Sequence, residues 1–229
     1  MFSAAKTSSP SGYQLQRSVR LRSSASAYLN RTPASAGNQK TFTWSAWVKR
    51  GALPSSGNIG LFTVGTTDAA SDGIIYTGAG TLFIFFANAT YSLTTTAIYR
   101  DPSAWYHIVL SVDTTQSTAA NRVVLYVNGV QVTAFSSASY PTQNYNCYFN
   151  SAVIHAIGRQ QQTTPSNYFD GYLTEVNFID GQALTPSSFG AVNANGVWSP
   201  VKYNGTYGTN GFYLNFQDNS AATAAAIGK

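Results

Sequence analysis

Apolar and polar residues alternate along this chain with a period of two, the signature of half-buried strands, and almost nowhere with the 3.6-residue period of a helix. Residues 122–132, RVVLYVNGVQV, are the sharpest case. Val123, Leu125 and Val127 fall on one face, and Arg122, Val124, Tyr126 and Asn128 on the other. Asn128-Gly129 separates two β-branched runs. A two-residue type I′ turn needs positive φ at both central positions, which Asn and Gly accept most readily, so a hairpin is predicted here.

Similar segments recur along the chain. Residues 17–22 set Val19 and Leu21 against Arg20 and Arg22. Residues 41–49, TFTWSAWVK, put Phe42, Trp44, Ala46 and Val48 on one face, with Thr41, Thr43, Ser45, Trp47 and Lys49 on the other. After a loop over 51–58, short strands are predicted at 61–64, 74–76 and 82–86. Residues 91–95 and 97–99 read as one interrupted strand or two edge pieces. In 105–113, Tyr106, Ile108, Leu110 and Val112 oppose Trp105 and His107. A long Tyr/Asn/Ser loop is expected over 136–150, a strand over 152–159, a Gln/Thr/Pro loop over 159–167 and a strand over 168–180. In that last strand alternation sets Tyr172, Thr174, Val176 and Phe178 against Leu173, Glu175, Asn177 and Ile179. Thr185 and Pro186 open a short helical turn, and a strand over 212–216 ends the pattern. About a dozen short strands at this spacing predict an all-β fold, a two-sheet antiparallel sandwich. Residues 1–16 read as a flexible arm, 17–219 as the sandwich domain and 220–229 as an Ala-rich tail.

Composition sharpens this picture. The 229 residues suffice for a sizeable core, but only 9% are charged, against about 25% in an ordinary domain. Ser, Thr, Asn, Gln, Gly and Tyr solvate the surface instead, as on proteins that bind sugars or pack into assemblies. The net charge of +5 is uneven, since no acidic residue precedes Asp68. The basic residues are spread out and no nucleic-acid motif accompanies them, so nucleic acid is not an expected partner. Cys147 is the one cysteine. It excludes an intramolecular disulfide and a cysteine metal cluster, and reads as a half-buried apolar filler. The N-terminus lacks the apolar core of a signal peptide. No run of roughly 18 apolar residues occurs, so membrane insertion is not expected.

Taken in order, the segments Phe-Thr-Trp-Ser-Ala-Trp-Val, Trp-Tyr-His-Ile-Val, Val-Leu-Tyr-Val-Asn-Gly, His-Ala-Ile-Gly-Arg and Phe-Asp-Gly-Tyr-Leu-Thr-Glu-Val resemble the concanavalin A-like lectin/glucanase superfamily in its laminin-G-like form. The resemblance runs from about residue 17 to 216. It implies a jelly-roll sandwich in which the first and last strands, near Val19 and Phe212, are neighbours. Residues 28–33 (YLNRTP), 100–106 (RDPSAWY) and 203–216 (YNGTYGTNGFYLNF) resemble tailed-bacteriophage virion proteins of the fibre or adhesin type. In that group, chain often continues past a lysine placed like Lys229.

Candidate chemistry follows. Glycoside hydrolysis needs two carboxylates about 5–10 Å apart across one bond. Enzymes on the resembled fold use Glu-x-Asp-x-x-Glu, which this chain lacks. Asp170, Glu175 and Asp180 are spaced by five, which sends neighbours to opposite faces of a strand. Glu175 therefore reads as a structural carboxylate bonded to a loop backbone, and an enzyme is not expected. His107 has no G-x-S-x-G partner and reads as bonded to a carbonyl or a polar neighbour.

The resemblance also implies calcium as a possible cofactor. Such a site takes six to eight oxygens, and Asp68, Asp72 and Asp101, with Asp170 at the same rim, are the candidates. The competing reading makes them turn formers. For sugar binding, the candidates are Tyr140, Asn144, Tyr145 and Tyr148 in one loop and Gln161, Asn167, Tyr168 and Asp170 in another. The competing reading packs these tyrosines onto the sandwich or against another subunit. The resulting expectation is a non-enzymatic virion protein, a tail fibre or adhesin that binds a host-surface glycan and assembles as a homo-oligomer with other virion subunits. A capsid decoration or tail-assembly protein and a free carbohydrate-binding module are the alternatives.

Overall fold

A computed structural model describes residues 13–54 and 56–217. The strands are β1 (Val19–Leu21), β2 (Leu29–Arg31), β3 (Thr41–Arg50), β4 (Ile59–Gly65), β5 (Ser71–Tyr76), β6 (Thr81–Phe86), β7 (Tyr91–Ile98) and β8 (Tyr106–Asp113). They continue as β9 (Val123–Val127), β10 (Val130–Gln131), β11 (Phe135–Ser139), β12 (His155–Ile157), β13 (Gly171–Asp180), β14 (Gly190–Val192), β15 (Trp198–Pro200) and β16 (Phe212–Leu214). The first sheet has the order β1-β13-β3-β8-β9-β10, with β16 also on β13. The second has the order β11-β7-β6-β5-β4-β12-β2, and β14 and β15 form a separate ribbon. The strand pairings among the described residues are antiparallel, so the two-sheet sandwich predicted from alternation is the fold. β1 and β16 lie one after the other along the same edge of β13.

The residues that alternation assigned to the interior are there. Phe42, Trp44, Ala46 and Val48 of β3 and Ile108, Leu110 and Val112 of β8 are fully buried in one core. Aromatic rings join the two sheets: Trp44 stacks on Phe62 at 5.8 Å, and Phe149 packs on both Phe42 and Phe62. Each such buried ring contributes roughly 1.5–3 kcal/mol. Val127 pairs with Val130 across Asn128 and Gly129, whose φ values of 50° and 81° make the predicted turn.

Four readings are corrected. β7 is an interior strand between β6 and β11, and β11 itself takes up 136–139 of the stretch expected to be loop. Cys147 is fully buried rather than half-buried, and burial pushes its thiol pKa well up. In β13 alternation breaks. Thr174 pairs with Trp47 and Asn177 with Ser45, so Glu175 and Val176 together oppose Ala46 alone. This β-bulge switches the core-facing positions from Leu173 to Val176 and Phe178. A period-two pattern carries no trace of an inserted residue.

Beyond this end of the core, Asp180 accepts hydrogen bonds from the Asn38 and Asn210 amides and from Asn150 Nδ2. The Asn150 amide in turn donates to His155 Nε2 at 2.9 Å, and His155 Nδ1 donates to Val153 O. An accepting Nε2 requires a neutral ring, and burial holds the His155 pKa down at about 4. The unfolded chain takes up this proton near pH 6.5. Stability from His155 is therefore complete above about pH 6.5 and lost as pH falls toward about 4. We expect the stability difference between the unaltered chain and His155→Gln to be largest at pH 7 and to shrink steadily toward pH 4.5 in denaturant titrations. A pH-independent difference would contradict this assignment.

Candidate functional site

The face of the first sheet turned away from the core is not bare. Thr43, Ser45 and Trp47 of β3 and His107 and Val109 of β8 point there by alternation, and residues 184–207 lie over part of it. Phe189, Leu184, Tyr203 and Tyr207 pack on Val109 and Ile179 as a second, smaller core. Between this cover and residues 13–18 runs a groove of about 630 Å³, within the range of roughly 300–1,000 Å³ usual for ligand sites. Trp47, Trp105 and Trp198 line it together with Tyr13, and its polar lining includes Gln14, Gln16, Arg17, Thr174, Asn193 and Ser199. Three of the four tryptophans of the chain meet here; the fourth, Trp44, is in the core.

His107 fixes the floor. Trp47 stacks on its ring at 4.9 Å, and Trp198 Nε1 donates to Nδ1 at 3.0 Å. An indole N–H can only donate, so Nδ1 accepts and Nε2 carries the proton, donating to Ser45 Oγ at 2.9 Å. Burial pushes the His107 pKa down to about 3, which keeps the ring in this neutral form. The expectation of a polar neighbour for His107 is met by Ser45 and Trp198.

Two glycines lie close against the Trp198 ring. A Cβ on Gly129 would lie 2.6 Å from Cε3, and one on Gly190 would lie 2.4 Å from Cζ2. The Asn128-Gly129 turn thus packs against Trp198, one of the groove's lining rings.

On the other wall, Thr174 Oγ1 donates to Arg17 O at 2.7 Å. Tyr13 Oη donates to Glu175 Oε1 at 2.8 Å, and Tyr213 Oη to the same atom at 2.7 Å. Burial raises the Glu175 pKa, partly offset by the two hydroxyls, and pushes Tyr13 up to about 12. Glu175 is therefore held by tyrosine hydroxyls, not by the loop backbone expected from the sequence. Of the expected arm, residues 1–12 lie outside the described residues, as does the 220–229 tail; residues 13–16 line the groove.

None of the eight residues proposed from the sequence for sugar binding lines this groove. Tyr140, Tyr145 and Tyr148 pack against the main core, Tyr145 edge-on to Tyr91 at 5.3 Å. These three tyrosines are half-buried there. Asn144 is exposed at φ 63°, with its amide on Thr114 O. Gln161, expected in an exposed loop, is buried and accepts from Arg159. Asn167 sits at φ 56° with Nδ2 on Gln160, and Tyr168 lies 6.2 Å from Tyr28. Asp170 pairs with Arg20 at 2.7 Å and accepts the Ser23 amide.

The calcium candidates are likewise engaged apart from one another. Asp72 is fully buried and accepts the amides of Ala87, Tyr148 and Phe149. Asp68 accepts the Thr163 amide and Asp101 that of Ser103. Among the described residues no three His, Cys, Asp or Glu side chains come together as a metal site. The groove was missed because its walls come from stretches read as arm and connection. Two signals pointed to it: Trp47, a large ring on the polar face of β3, and Asn195-Gly196, the hairpin dipeptide between β14 and β15.

Residues 23–188 match a laminin-G family model described as the Concanavalin A-like lectin/glucanases superfamily. The chain belongs to this superfamily. No curated protein matches it by sequence. Among solved structures it resembles NanB plus Optactamide at 12% identity and a TM-score of 0.54, over 76% of this chain and 28% of that one. It is also similar to a heptameric SAP-like pentraxin from Limulus polyphemus (15% identity, 69% and 71% covered, TM-score 0.49). A third is the CBM40 of the Ruminococcus gnavus IT-sialidase (14%, 69% and 95%, 0.47). The chain spans 22% of a Trypanosoma rangeli sialidase chain that it also resembles. At these identities the likeness is one of fold. Residues 13–18 and 193–200, two of the groove's walls, fall outside the matched lectin-like region.

Because Gly129 combines positive φ with the close approach of Trp198, we expect Gly129→Ala to cost about 1–3 kcal/mol. It should also shift the tryptophan emission spectrum by displacing the Trp198 ring. Unchanged stability and emission would mean that Trp198 is not held against this turn.

Proposed function

We propose that this chain is a non-enzymatic glycan-binding protein, and that the ligand lies in the tryptophan-lined groove. The observation that carries this reading is the meeting of Trp47, Trp105 and Trp198 with Gln14 and Gln16 in one groove. Indole faces bury the apolar C–H faces of sugar rings, while amides match their hydroxyls, the mix of aromatic walls and few polar groups that ligand sites use. Membership of a lectin-like superfamily agrees with it.

Binding without turnover fits the acids. Asp170 is tied to Arg20, Glu175 to two tyrosines, and Asp180 to three asparagines. The resemblance of residues 28–33, 100–106 and 203–216 to phage fibre and adhesin proteins supports a place on a virion, facing a host-surface glycan. A surface with few charges suits repeated copies packed side by side as a homo-oligomer.

On a glycan array displaying the intact chain, we expect selective signal. Trp105→Ala, which removes a partly exposed ring, should reduce it about tenfold or more. Absence of signal, or signal indifferent to this substitution, would remove the groove as a glycan site. Release of reducing ends from any bound glycan, abolished by Glu175→Gln, would overturn the non-enzymatic part.

A further inference from the structure

Glu175 is a costly residue for a strand to carry. Its φ of 51° lies in the left-handed region, where a non-glycine residue costs about 1–3 kcal/mol. The residue is also largely removed from water, at 5% exposure. What these costs achieve is visible in the next contacts. In a regular strand, consecutive side chains point to opposite faces. The bulge instead turns both Thr174 and Glu175 to the groove side, Leu173 before them and Val176 after them being in the core.

Those two consecutive residues hold the same short segment. Thr174 Oγ1 bonds Arg17 O, and Glu175 Oε1 accepts Tyr13 Oη. Tyr213, fixed by the pairing of β16 with β13, completes a triangle of oxygens, its hydroxyl lying 2.9 Å from that of Tyr13. Residues 13–18 belong to no strand and precede the region matched by the lectin-like family. They nevertheless supply six of the groove's lining residues.

We infer that Glu175 is a positioning residue of the groove: the bulge presents its carboxylate so that Tyr13 docks residues 13–18 as a strap, and the docked strap makes the ligand-binding wall. Selectivity is then set by the two flanking additions, 13–18 and 193–200, rather than by the common scaffold. The strap itself stands on the hydrogen-bond geometry; only its role toward a ligand rests on the glycan reading.

The full chain is compared with Tyr13→Phe, Glu175→Ala and Glu175→Gln by acrylamide quenching of tryptophan fluorescence, by thermal melting, and by titration with cellohexaose, chitohexaose and trigalacturonate. Tyr13→Phe and Glu175→Ala should raise the quenching constant. They should also weaken whichever oligosaccharide binds by about fivefold, the worth of one hydrogen bond of about 1 kcal/mol. Glu175→Gln keeps a carbonyl oxygen for both hydroxyls and should stay near the unaltered chain in both readouts. The melting temperature of Tyr13→Phe should change little, which separates positioning from a purely structural role. Quenching unchanged in both disrupting variants overturns the inference, and so does raised quenching with undiminished affinity. If the unaltered chain binds none of the three oligosaccharides, the glycan reading is what loses support, and the quenching result alone decides the strap.

Discussion

One residue too many in β13 organises this molecule. Between Thr174 and Asn177 the strand carries two residues where β3 carries one. With this excess, the inward positions shift from Leu173 to Val176, and two adjacent side chains turn outward together. One wall of the groove on the outer face of the first sheet is fixed at that point. The N-terminal segment is held there, β16 pairs just beyond it, and the tyrosines of the last part of the chain gather around the carboxylate it presents.

The remainder is a division of labour between scaffold and additions. The sandwich is held by rings meeting across the two sheets, Trp44 on Phe62 and Phe149 on both layers, and this is the part shared with the lectin-like superfamily. The groove is laid on its outside. Its floor comes from β3 and β8, where a neutral His107 locks Trp198 beside Trp47. Its walls come from segments before and after the shared region. Such an arrangement lets the walls vary without touching the core, since almost every ring that stabilises the sandwich points the other way.

The same division explains what could be read from the chain. Strands, faces and the Asn128-Gly129 turn were legible because burial of one face imposes a period of two, and because a type I′ turn restricts its residues. The bulge was not, since an inserted residue leaves both flanking stretches regular. Tyrosine-rich loops drew attention as binding surfaces, yet Tyr140, Tyr145 and Tyr148 close the rim of the core, with Asp72 gathering the amides of that loop from below. Residues 13–16 read as arm from the sequence, whereas Tyr13 bonds Glu175 and Tyr213, about 160 and 200 residues away in sequence. Long-range polar contacts of this kind have no period to betray them.

The most direct test is to follow the four indole N–H signals of the ¹⁵N-tryptophan-labelled chain by NMR while a glycan selected from the array is added. If the groove holds the glycan, the signals of Trp47, Trp105 and Trp198 move together and that of Trp44 stays in place. Four unmoved signals, with the perturbation instead falling on residues 140–148 or 159–170, would place the ligand on the loops and contradict the groove.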